Sequence, residues 1–216
     1  LEEDGRAPKI VILENVCGTL ASHGGRDFVS IAQAFASRGY RFGALVVDAS
    51  LFVPQSRPRL FVIGVRDGMM IPAQLIVEGP TGRFHTRQLV DAYAKLPSSA
   101  AEHWIWWKLP TPPKRKKNFV DILEEPLPGD AWHTDAETRS LLAMMSPINI
   151  EKVKAAQRTG RKMVGGVYKR TRRDQANAKV QRAEIRFDNV SGCLRTPAGG
   201  SSRQLIVVVE GEQVRS

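Results

Sequence analysis

Apolar residues are spaced along the first seventy positions in two different periods. Lys9–Val16 (KIVILENV) is an unbroken apolar run of strand length that ends in polar residues, the pattern of a buried parallel strand. Gly18–Gly25 has loop chemistry, and then Phe28, Ile31, Ala32, Phe35 and Ala36 recur at spacings of three and four. That spacing predicts an amphipathic helix, with Gly39 as its stop. Arg41–Ser50 and Leu60–Arg66 (LFVIGVR) read as two more strands. The link between them, Leu51–Arg59, carries Pro54 and Pro58 and is too short for a helical crossover, so the two strands should be antiparallel neighbours. The expectation is an α/β strand–helix–strand–strand array at the edge of a larger sheet.

Beyond Asp67 the regularity fades. Helices are expected over Thr86–Leu96 and Thr134–Met145, and Leu109–Lys117 (LPTPPKRKK) reads as a basic, proline-rich linker. Met163–Arg203 is basic, dotted with glycine and without clear period, and Leu205–Val209 (LIVVV) is a closing strand. The chain therefore divides into a sheet region, residues 1–70, and an irregular region, residues 71–216, with no internal repeat.

Composition changes this picture little. Hydrophobic residues at 42% and charged residues at 25% are those of a globular chain. No apolar run approaches the roughly 18 residues of a membrane span. Two cysteines, Cys17 and Cys193, are too few for a disulfide framework, and the cytoplasm is the default address. The four histidines, His23, His85, His103 and His133, show no metal-ligand spacing, so no metal is expected.

Charge changes it more. Residues 1–108 hold 12 Lys/Arg against 10 Asp/Glu, whereas residues 109–216 hold 20 against 12. Lys152–Arg203 alone has 14 basic residues against 3 acidic ones. Such a stretch attracts polyanions, a nucleic-acid backbone above all, although a solvated basic face has the same composition. Within it Lys169, Arg170, Arg172 and Arg173 form the densest run. Trp104, Trp106 and Trp107 have the chemistry to stack on bases, but their bulk points to packing against the sheet.

Two short motifs carry candidate chemistry. Glu14-Asn15-Val16 closes the first strand, and ligands of open α/β sheets bind beyond the carboxyl ends of strands. A glutamate ending an apolar run is expected to be partly desolvated, which raises its pKa and suits it to hold a proton. A strand-end acid satisfied by a helix amino terminus is the structural alternative. Pro54-Gln55-Ser56-Arg57-Pro58-Arg59 alternates two arginines just before a strand, so they should point to opposite sides. A planar, permanently charged guanidinium suits bidentate binding of oxygens.

In this order, and about forty residues apart, the two motifs resemble the Glu-Asn-Val and Gln-x-Arg-x-Arg motifs of cytosine-5 DNA methyltransferases. Ser191–Gln204 (SGCLRTPAGGSSRQ) is also similar to the end of that family's target-recognition region. The likeness is strong over residues 8–66 and 182–210 and weak between them. It implies a partial Rossmann-like methyltransferase sheet followed by a small irregular, mostly β target-recognition domain. It also implies S-adenosylmethionine as methyl donor and duplex DNA as substrate, with the target cytosine flipped from the stack. By the same resemblance Glu14 would protonate ring nitrogen 3, and Asn15 would organise the loop that carries the nucleophile. Arg59, with Arg57, would contact the cytosine carbonyl, and Gln55 would orient neighbouring backbone. Gly199 and Gly200 would let backbone approach DNA, and Arg195, Ser201, Ser202 and Arg203 would contact bases or phosphates. Lys169, Arg170, Arg172 and Arg173 would contact phosphates.

The sequence also departs from the family. Its nucleophile lies in a Pro-Cys motif, yet Cys17 follows Val16 and Cys193 follows Gly192. Each is expected to be a small buried thiol. No glycine-rich cofactor loop is present. The expectation is therefore a piece of a longer enzyme, or one subunit of a split enzyme whose missing half is the partner. The rival expectation is a DNA-binding module without chemistry. A nucleotide-dependent α/β enzyme is disfavoured, since no phosphate-cradling loop is found.

Overall fold

A computed structural model describes residues 7–124, 132–174, 176–194 and 204–216 of the chain. It is a mixed α/β structure with several sheets, divided into two compact units. One comprises Leu1–Asp48 with Pro58–Pro113, the other Ala49–Arg57 with Lys114–Ser216. The unit that holds the first sheet thus continues past residue 70. No helix among the described residues is long and apolar enough to cross a membrane.

The first unit opens with β1 (Ile10–Val16), α1 (Arg26–Ser37), β2 (Tyr40–Asp48) and β3 (Pro58–Arg66), in the expected order. Gly39, with φ of 69°, ends α1 in a left-handed conformation that a residue with a Cβ adopts at a cost. The sheet order is β1-β3-β2, and β3 is antiparallel to both neighbours. The β2–β3 pairing is as the short link required. The parallel, buried character expected of β1 is corrected. It pairs antiparallel with β3, and its residues alternate between exposed and half-buried. A continuous apolar run reports what a strand is able to bury, not the direction of its neighbour.

One face of the sheet is packed and the other is partly open. Phe28, Ala32 and Phe35 of α1 are buried against Phe42, Ala44, Val46, Leu60 and Val62. On the opposite face Ile10 and Ile12 are 55% and 63% exposed and line an apolar cleft of about 310 Å³ with Ile63, Val65, Met70 and Trp107.

Residues 84–107 brace this sheet. Thr86 caps α2 (Arg87–Tyr93), its side chain accepting from the Leu89 amide. α3 (Ser98–Ala101) precedes a stretch bonded to the outer edge of β2, where Phe42 N donates to His103 O at 2.9 Å and Ile105 N to Phe42 O at 2.6 Å. A two-stranded ribbon pairs β4 (Ile76–Val77) with β5 (Trp106–Trp107). Trp104 packs on Phe28 and Phe42, while Trp106 and Trp107 are buried. The three tryptophans are core.

The second unit contains α4 (Asp135–Ala143), α5 (Pro147–Arg158), β6 (Met163–Arg173), β7 (Lys179–Arg186), β8 (Leu205–Glu210) and β9 (Gln213–Arg215). Thr134 and Glu137 form a reciprocal capping box at the start of α4, and Pro147 opens α5, where its missing N–H costs nothing. The sheet order is β7-β6-β8-β9, all neighbours antiparallel. Leu141, Met145, Val153 and Ala156 of the helical segment bury Val167, Ala183, Ile185, Val207 and Val209 of the sheet. Over Met163–Arg186 the hairpin of β6 and β7 replaces part of the irregular segment expected over Met163–Arg203. Its outer half is polar on both faces, so alternation left no hydrophobic signal to read.

Gly43 marks the tightest packing of β2, because a Cβ there would lie 1.8 Å from the carbonyl oxygen of Ile105. Backbone cannot swing aside as a side chain does. Gly43→Ala should therefore lower the unfolding free energy by about 1–3 kcal/mol in urea titration. An unchanged midpoint would mean that the Ile105 segment is not held against β2.

Candidate functional site

Antiparallel pairing of β1 and β3 places Val16 opposite Arg59 and Glu14 opposite Phe61, so Glu14 and Arg59 are diagonal neighbours on one face. Arg59 Nε lies 2.8 Å from Glu14 Oε1, and Arg59 Nη1 donates to Pro58 O at 2.8 Å. The guanidinium is mostly buried, at 17% exposure, while the carboxylate is 52% exposed. Glu14 is thus half exposed at the strand end. Its carboxylate is an exposed group held from behind, because β1 puts even-numbered side chains on the face away from α1. Asn15 points the other way, and its Oδ1 accepts from the Val16 amide at 2.8 Å.

Gln55 and Arg57 belong to the second unit. Gln55 forms a parallel bridge with Ser191, framed by Ser191 N donating to Pro54 O at 2.8 Å and Ser56 N to Ser191 O at 2.9 Å. Arg57 Nη1 donates to Cys193 Sγ at 3.3 Å. Two motifs more than 130 residues apart in the sequence are therefore hydrogen-bonded to each other. Arg115 stiffens the same place, donating to the carbonyls of Ser50 at 3.1 Å and Asn189 at 3.2 Å. Sequence reasoning missed Arg115, since a lysine- and proline-rich run conceals one arginine anchored among mobile-looking neighbours.

The basic run Lys169–Arg173 lies along β6, where strand alternation divides it. Arg170 and Arg172 share one face and Lys169 and Arg173 the other. Glu184 meets both Arg170, at 3.4 Å, and Arg172, at 2.5 Å. Arg173 Nη1 instead donates to Asn177 O and Oδ1, both at 3.0 Å. Arg195, Gly199, Gly200, Ser201, Ser202 and Arg203 lie outside the described residues.

The family model described as C-5 cytosine-specific DNA methylase matches residues 4–205. The orphan methyltransferase M.SPRI of Bacillus phage SPR is 26% identical over 173 residues, covering 76% of this chain and 38% of that protein. The putative type II methyltransferase M.BsuMIIP of Bacillus subtilis (strain 168) is 26% identical over 148 residues, 68% of this chain and 32% of its own length. A shorter match, 39% identical over 61 residues, joins 28% of this chain to 14% of the type II methyltransferase M.BspRI of Lysinibacillus sphaericus. The chain spans well under half the length of these curated relatives.

Both cysteines are half-buried and unpaired with each other. Burial pushes the Cys17 thiol above its ordinary pKa; Arg59 opposes the rise and Asp48 adds to it. A thiol shifted that way is protonated at neutral pH and a poor nucleophile. In a Cys193→Ala variant, alkylation of Cys17 at pH 8 should run at less than about a tenth of the rate of the urea-unfolded chain. Equal rates in the two states would return Cys17 to the list of reactive groups.

Proposed function

This chain belongs to the C-5 cytosine-specific DNA methylase family, and we propose that it supplies the cytosine-reading and DNA-recognising part of an enzyme that methylates carbon 5 of cytosine in duplex DNA. The unit of β1–β3 is the second half of a Rossmann-like catalytic sheet, and the unit of β6–β9 is the target-recognition domain. The observation that carries this reading is the Glu14–Arg59 pair at the carboxyl end of β1. An exposed carboxylate anchored by one oxygen is suited to the Watson–Crick edge of a flipped cytosine, which presents an acceptor at nitrogen 3 beside an amino donor.

By the family resemblance, Glu14 hydrogen-bonds and protonates ring nitrogen 3 of the flipped cytosine. Protonating that nitrogen draws electron density from carbon 6 and makes it susceptible to a thiolate. Arg59 fixes the carboxylate and directs its remaining N–H groups to the cytosine carbonyl. Asn15 organises the loop that bears the nucleophile. The backbone of Pro54 and Ser56, on either side of Gln55, holds Ser191, and Arg57 steadies Cys193, so this motif acts on the recognition segment. Arg195, Gly199, Gly200, Ser201, Ser202 and Arg203 complete that segment.

The nucleophile is a Pro-Cys thiolate supplied by the remaining half of the enzyme, because Cys17 and Cys193 follow valine and glycine. S-adenosylmethionine provides the methyl group. The described residues do not fit this donor: the cleft beside β1 is lined by apolar side chains with Lys108 as its charged member. A sulfonium and a ribose call for carboxylates and hydrogen-bond acceptors, so no step is assigned through the cofactor here. The same facts favour the second reading, a DNA-binding module without chemistry.

One outcome is common to both readings, and one tests the enzyme reading. The chain alone, with duplex DNA and labelled S-adenosylmethionine, should incorporate no methyl group. In the enzyme reconstituted with a polypeptide bearing the Pro-Cys motif, Glu14→Gln should lower the methylation rate by about 10²–10⁴-fold. DNA affinity should barely change, since phosphate contacts dominate it. A near-normal rate in that variant would leave Glu14 a structural strand-end acid.

A further inference from the structure

We infer that the recognition unit meets the DNA backbone with one particular face of its hairpin, the face bearing Tyr168, Arg170, Arg172 and Arg182, and that Glu184 pairs with two of those arginines in competition with phosphate. The inference rests on the DNA-binding reading above and assigns its surface.

Alternation along β6 separates the two faces. Met163 and Val167 are packed in the core with α4 and α5, so the odd-numbered side chains belong to that side. Tyr168, Arg170 and Arg172 occupy the other. Ladder register puts Glu184 opposite Tyr168 and Arg182 opposite Arg170, which brings Glu184 and Arg182 onto the same face. The carboxylate of Glu184 accepts from Arg172 Nε at 2.9 Å and approaches Arg170 at 3.4 Å. Arg170 also lies over the Tyr168 ring, 5.6 Å from its centroid.

Two independent features point this face at a polyanion. Arg170 and Arg182 are directly opposed like charges, an arrangement that destabilises a bare sheet. One carboxylate among three guanidiniums offsets this in part, and a row of phosphates would offset the rest. The second feature is the packing of Gly192 and Gln204 on this face. The Tyr168 hydroxyl occupies the space beside Gly192, where a Cβ would come within 0.7 Å of it. The Gln204 amide lies over Gly166, 2.6 Å from where its Cβ would be. Gly192 and Gln204, on either side of residues 195–203, thus both rest on the face that carries Arg170 and Arg172. Both polar atoms of the Gln204 amide are buried without a partner among the described residues.

Duplex DNA of random sequence, titrated by fluorescence anisotropy at several salt concentrations, tests the assignment. Each phosphate contact contributes a slope of roughly −0.9 in log affinity against log salt. Arg170→Ala with Arg172→Ala should flatten the slope by about 1.5–2 units, and Lys169→Ala with Arg173→Ala by less than about 0.5. Glu184→Gln should tighten binding by about two- to fivefold, because a carboxylate no longer competes with phosphate for two guanidiniums. Misfolding cannot mimic that gain. Equal or greater flattening by the Lys169/Arg173 pair, or weakened binding by Glu184→Gln, would overturn the assigned face while leaving DNA binding in place. A wild-type chain with no salt-dependent affinity for duplex DNA would sink the DNA-binding reading, and this surface with it. Tighter binding to single-stranded RNA of equal length would also overturn it, by naming a different polyanion.

Discussion

The central position of β3 governs the first unit. Its backbone is bonded to β1 on one side and β2 on the other, and the side-chain period of two ties every position to one face. A slip of one residue would carry Leu60 and Val62, both fully buried, to the open face. Each such side chain is stabilised by about 1.5–3 kcal/mol on burial. The Glu14–Arg59 ion pair, with its carboxylate half exposed, contributes at most about 1 kcal/mol. Apolar packing therefore sets the register, and the register places the ion pair. Because the pair contributes so little to folding, its geometry is open to being selected for binding chemistry.

The same strand begins at a sharp division. Ala49–Arg57 packs with the second unit while Pro58 starts β3 in the first. Arg57 and Arg59 are two residues apart, yet one donates to the Cys193 sulfur and the other pairs with the Glu14 carboxylate. Pro54 and Pro58 restrict the backbone between them, and the carbonyl of Pro54 is itself an acceptor for Ser191.

In the second unit the base of the sheet is packed on both faces, by α4 and α5 on one and by Phe119 on the other, whereas the outer half of its hairpin is cationic. Val167 and Ile185 lie in the covered half, whereas Arg170, Arg172 and Arg182 lie beyond it. Hydrophobic burial anchors the base of the hairpin, and the ladder of β6 with β7 holds its outer half in extended geometry. Positive charge is concentrated where packing imposes little demand on side-chain identity.

Period and punctuation in the sequence determined β1–β3, α1, the left-handed Gly39 and the antiparallel link, because each depends on residues only a few positions apart. The capped helices at Thr86 and Thr134 were legible for the same reason. The paired motifs Glu14-Asn15-Val16 and Gln55–Arg59 were legible as chemistry, but the exposure of Glu14 was not, since burial depends on which strand lies alongside. Tertiary structure alone decided that β1 runs antiparallel to β3, that Gln55 and Arg57 reach Ser191 and Cys193, and that Arg170 parts company with Lys169. It also decided that 147–158 is helical: the run of Pro147–Arg158 has a weak amphipathic pattern, and its helix is stabilised by packing Val153 and Ala156 against the sheet. In every one of these cases the deciding contact joins residues distant in sequence, and a local pattern carries no record of the partner that buries it.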